Sequence, residues 1–121
     1  MACLRNKTFN CSSGEQLRDF IYIDDLVKAI FKLIKSNKSK GQIFNIGSGK
    51  PIKVREIIEK IKKISKGGIP LYGKIKFRKD EIKKLYPDIK KIRREINWRP
   101  NIPFDKGLQS TIKFYKDSFF K

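Results

Sequence analysis

Histidine is absent and cysteine occurs only at Cys3 and Cys11, so the ligands of a zinc site and the pairs of a disulfide framework are both too few. No metal is expected. Long hydrophobic runs are missing as well. None exceeds the four residues of "FIYI" at positions 20–23, far short of a bilayer span, and the opening "MACLRNKTFN" has no apolar signal core. Two thiols in a Lys-rich chain point to a reducing, cytoplasmic setting with no membrane partner. Acids are scarce: 12 Asp plus Glu stand against 30 Lys plus Arg, a formal charge of +18. Such a chain attracts polyanions of any kind. The lysines are scattered through every segment beside abundant Ile, as compositional bias alone produces. Without a base-stacking signature or a known binding motif, nucleic acid is not the expected partner. A small basic nucleic-acid-binding protein stands as the alternative reading. A second is an interaction module that completes another chain's sheet through an unpaired edge at residues 42–46. At 121 residues the chain is long enough for a single domain, 1–121.

Secondary-structure signals follow in order. Phe20 to Ile23 is an aromatic and β-branched run that predicts a buried strand, with Asp24 or Asp25 as the N-cap of the next helix. Leu26, Ala29, Ile30, Leu33 and Ile34 recur at helical spacing, and "SNKSKG" ends that helix. "QIFNIGSGKP" predicts a strand running into a Gly-rich turn. Val54, Ile57, Ile58, Ile61 and Ile64 mark another helix, which stops at Gly67-Gly68. Lys53 falls at its N-cap with Glu56 three residues on, but lysine offers the free amides no acceptor. A strand is predicted at Lys74–Arg78, then a helix from Asp88 through Ile96. Asn97 ends that helix in the left-handed conformation and Trp98 folds back onto it. The last helix carries Phe104, Leu108, Ile112, Tyr115 and Phe119 on one stripe.

Two motifs invite an enzymatic reading and fail on spacing. "GSGK" at 47–50 lacks the upstream Gly and the following Ser/Thr of a phosphate loop, so a tight turn is expected. Tyr72 with Lys76, and Tyr86 with Lys90, match Tyr-x-x-x-Lys, but in so Lys-rich a chain such matches arise by chance. No residue is assigned a catalytic role. Arg18 is a better candidate. It lies just before the predicted strand, where a rigid element aims a guanidinium, although an ion pair with Asp19 or Asp24 fits its position equally well. Arg78 poses the same choice, and two arginines at strand edges suit a bidentate clamp on one diphosphate.

Taken in order, "GEQLRDFIYIDDLVKAI", "GQIFNIGSGKPIKVREIIEKI", "FRKDE" and "DIKKIRREINWRPNIPFDKGLQSTIKFY" resemble the carboxyl-terminal part of NAD-dependent nucleotide-sugar epimerases and dehydratases. These form the extended short-chain dehydrogenase/reductase family. The resemblance implies an α/β fold: a small mixed lobe of short strands and four to five helices that binds substrate, without the Rossmann cofactor domain. It implies that Arg18 and Arg78 hold the diphosphate of a UDP, CDP, dTDP or GDP sugar from opposite walls. Asp80 or Glu81 would contact the nucleotide, and Phe9 to Ser12 would lie near the base. It implies that "FNIGSG" joins the edge of the cofactor domain's sheet and that Trp98 is core. NAD belongs to the parent family, whose Gly-rich fingerprint, catalytic Tyr-x-x-x-Lys and companion Ser/Thr are not in these residues. The chain alone is therefore expected to be inactive, as a fragment, a truncated reading frame or half of a split enzyme that works with a separate Rossmann chain.

Overall fold

Nine short elements alternate along the computed structural model, which describes residues 1–119. They are β1 (Thr8–Asn10), β2 (Leu17–Arg18), α1 (Ile23–Lys35), β3 (Ile52–Lys53), α2 (Val54–Ser65), β4 (Ile69–Leu71), β5 (Lys84–Leu85), α3 (Lys90–Ile96) and α4 (Phe104–Phe119). Single 3₁₀ turns add Cys3–Arg5 and Asn37–Ser39. This is a mixed α/β fold of four α-helices and short strands among the described residues.

The chain groups into two units. One comprises residues 1–18, 52–85 and 108 onward; the other comprises 19–51 and 86–107. In the first, β1 pairs in parallel with β4, and β2 lies between antiparallel β3 and parallel β5. Helix α2 buries Ile57 and α4 buries Ile112. Lys53 is indeed the N-cap of α2 and makes no side-chain cap. The free amides find backbone acceptors instead: Val54 N donates to Gln16 O (3.1 Å) and Arg55 N to Gly14 O (2.9 Å). Gly14 is required for this. Its φ is +77°, and a Cβ there would sit 2.7 Å from Arg55 Cβ. Gly14→Ala is therefore expected to cost about 2 kcal/mol in a denaturant melt, from backbone strain together with the clash. A melt like that of the parent chain would show that the loop yields.

In the second unit Ala29, Ile89, Ile92, Ile96 and Trp98 form the core, with Ile21, Leu33, Phe44 and Ile46 packed on it. Asn97 ends α3 at φ +50°, and Trp98 N reaches back to Ile92 O, so the left-handed stop and the apolar lock both form. The N-cap of α3 is Ile89 and not Asp88, whose carboxylate nevertheless accepts from Lys90 N at 2.8 Å from one residue before the cap.

Three strand expectations are corrected. Residues 20–22 and 42–46 are in no ladder, and Lys74–Arg78 is bend and loop. A strand exists only where a second backbone supplies a ladder of hydrogen bonds, and here a lone bond, Ile75 N to Cys11 O (3.1 Å), makes no ladder. Residues 43–46 keep a strand's alternation all the same, with Phe44 and Ile46 turned to the core and Ile43 85% exposed. Helix α1 starts earlier than expected, at Ile23, with Tyr22 as N-cap. Neither Asp24 nor Asp25 caps it; Asp25 is buried and its Oδ2 accepts from Asn101 N (3.0 Å) and Ile102 N (2.8 Å).

Candidate functional site

Arg18 occupies the central strand β2, so its backbone is held on both sides, by Ile52 of β3 and Leu85 of β5. Its guanidinium donates from Nη1 to Leu17 O at 2.9 Å and from Nη2 to Glu81 Oε1 at 2.7 Å. Guanidinium carries five N–H donors in a rigid fork, so two fix its direction and three stay available. The Arg18 and Glu81 side chains keep 24% and 28% exposure, enough for a ligand to reach them from solvent.

Glu81 reaches this position through a turn. Its backbone N donates to Arg78 O at 3.1 Å, which places Lys79 and Asp80 at an exposed tip and returns the chain toward β5. Arg78 and Asp80 are exposed at that turn. Arg18 and Glu81 are thus brought into contact, and Arg78 is joined to Glu81 through the backbone. The ion pair expected for Arg18 from position alone, with Asp19 or Asp24, gives way to one with Glu81.

Asp19 has another task. Its carboxylate accepts from Ser48 N (2.8 Å, Oδ1) and Gly49 N (2.7 Å, Oδ2). The consecutive amides that make "GSGK" resemble a phosphate cradle are already filled by an internal anion. It is a tight turn, as its spacing implies. Sequence reasoning did not find this contact, because Asp19 and Ser48 lie far apart in the chain.

Neither Tyr-x-x-x-Lys match lies within a helix, since residues 86–89 precede α3. Residues 72–76 form turn and bend, not helix, and Tyr72 OH donates to Glu59 Oε1 at 2.7 Å beneath Arg55, 4.1 Å from the ring centroid. Burial, then the bond to Glu59, pushes the Tyr72 phenol well above its ordinary value, the reverse of an activated tyrosine. Cys3 and Cys11 are free thiols raised by burial. Among the described residues no group of three or more His, Cys, Asp or Glu is placed to hold a metal ion.

A family model described as GDP-mannose 4,6 dehydratase matches residues 1–111. The UDP-glucuronate 4-epimerase of Thermodesulfobacterium geofontis is 37% identical over 108 residues, covering 87% of this chain and 32% of the relative. The crystal structure of UDP-glucose 4-epimerase with UDP-glucose from Thermotoga maritima superposes with a TM-score of 0.86 at 26% identity, covering 96% of this chain and 37% of that one. A UDP-glucuronic acid 4-epimerase from Bacillus cereus, solved in complex with NAD, gives 0.80 at 25% identity, covering 98% and 39%. The chain spans about a third of the length of the relatives it matches.

Proposed function

The chain belongs to the nucleotide-sugar epimerase and dehydratase family of extended short-chain dehydrogenases/reductases, and from that premise we propose that its residues 1–121 are the substrate-holding portion of such an enzyme, with Arg18 on the diphosphate. The observation that carries this reading is the fork of Arg18, fixed on a central strand by Leu17 O and Glu81 with three donors unused. A diphosphate presents paired oxygens that match such a fork. Arg78, exposed at the turn that carries Glu81, is the second arginine assigned to the same diphosphate. Glu81 uses Oε1 for Arg18, leaving Oε2 to accept from a nucleotide hydroxyl, the role for which Asp80 is the exposed competitor.

NAD supplies the chemistry of the parent family, a transient oxidation of a sugar carbon that leads to epimerisation or dehydration. These residues offer it no cradle: they contain no Gly-x-Gly-x-x-Gly, and the amides at Ser48 and Gly49 serve Asp19. What this chain contributes is grip and aim. Taken alone it binds a nucleotide sugar weakly and turns nothing over.

A second observation bears on the partner. Ile23, Val27, Ile30 and Ile34 follow one another at four-, three- and four-residue steps on a single stripe of α1, with exposures of 55%, 41%, 43% and 74%. Gln42 and Phe44 of the 42–46 segment lie beside Ile34 of this stripe. It is the face on which a cofactor-binding portion packs, whether joined to this chain or supplied as a separate one.

Amide NMR of the purified chain, titrated with UDP, CDP, dTDP and GDP, tests the proposal. One nucleotide should give saturable shifts centred on Arg18 and on residues 78–81. Well-dispersed peaks that respond to none of the four, or equally to all as simple polyanions, would refute it.

A further inference from the structure

Helix α1 has a third face besides its buried and apolar ones. Lys28, Lys32 and Lys35 share it, and with Arg93 and Arg99 they line one groove of about 1150 Å³. Lysines that look scattered along the sequence are here gathered, because positions 28, 32 and 35 fall on one side of a 3.6-residue helix. Lys32 Nζ is committed to Asn97 O at 2.7 Å. Among the described residues Lys28, Lys35, Arg93 and Arg99 are in no ion pair. Four uncompensated cations thus face one groove whose single lining acid is Asp25.

Charge alone would suit any polyanion, but one further feature narrows the choice. Phe31 lines the same groove with 59% of its surface exposed, a flat apolar ring among the cations. Cations for phosphodiesters and an exposed ring for stacking are what an unpaired nucleic-acid strand uses. A duplex hides its base faces and leaves the ring nothing to meet. We propose that this groove binds single-stranded nucleic acid, independently of the nucleotide-sugar site.

Fluorescence anisotropy with a labelled oligo-U 12-mer, on the whole chain between about 50 and 200 mM salt, tests it. Four phosphate contacts predict a slope of log affinity against log salt of about −2.8. The triple variant K28A/K35A/R99A should flatten that slope by about 2, while the control K40A/K63A/K116A, three exposed lysines elsewhere, should leave it nearly unchanged. Phe31→Ala should weaken binding about tenfold with the slope intact, which lost charge could not produce. Thermal melts of each variant verify that it folds. Equal losses from both triple variants, a duplex bound as tightly as the single strand, no effect of Phe31→Ala, or anionic lipid vesicles captured in place of the oligonucleotide would each overturn the proposal.

Discussion

Replacing Asp25 with alanine is expected to lower the stability of the chain by about 3 kcal/mol, since a hydrogen bond to a charged group contributes roughly 1.5–3 kcal/mol and two are lost together. In a thermal melt this is a drop of roughly 10 °C. The carboxylate is 1% exposed, and its Oδ2 receives the amides of Asn101 and Ile102, on either side of which lie Pro100 and Pro103. Neither proline has an N–H of its own, so this segment depends on an outside acceptor to organise the approach to α4. Alanine leaves two donors without a partner. Asn keeps one acceptor oxygen but brings an NH₂ group and loses the charge, so Asp25→Asn should give back about half of the loss. If Asp25→Ala melts with the parent chain, water replaces the carboxylate and the anchor is not needed.

Why this residue escaped sequence reasoning says much about what a single chain reveals. Helices were legible because their signals are local. The stripe of α2, the Asn97-Trp98 stop of α3 and the stripe of α4 each lie within a few residues of the bonds they report. Strands were not. β2, β3 and β5 are two residues long, too short for an alternating pattern, and their pairing joins Leu17 to Lys53 and Lys84 across long stretches of chain. The runs that did look like strands, 20–23 and 42–46, have the composition of buried sheet but no partner backbone here. Acids divide in the same way. An Asp-Asp pair before an apolar helix is read as a cap, because capping is the local use of such residues. Asp19 and Asp25 instead serve amides some 29 and 76 positions away. Arg18 was singled out from its own neighbourhood, whereas its partner Glu81, 63 positions on, became visible only once the turn at 78–81 had closed.

That partnership makes the second large effect specific. With the nucleotide identified by NMR, calorimetry on Arg18→Ala should show affinity for the nucleotide sugar reduced about a hundredfold, the worth of two charge-assisted bonds. The fold should survive, because the pair with Glu81 is partly exposed and such pairs add little to stability. Arg18→Lys should recover only a small part, since a point charge cannot meet two phosphate oxygens as a fork does. Glu81→Gln separates aim from grip. If Glu81 acts by holding the guanidinium in line, the change should cost about tenfold alone, yet little or nothing once Arg18 is alanine, and the cycle would show strong coupling. If Glu81 instead meets the nucleotide independently through Oε2, the two losses should add. Either pattern keeps Arg18 in the site. An affinity for nucleotide sugar unchanged by Arg18→Ala would remove it, leaving the ion pair as a brace between β2 and the turn at 78–81 and nothing more.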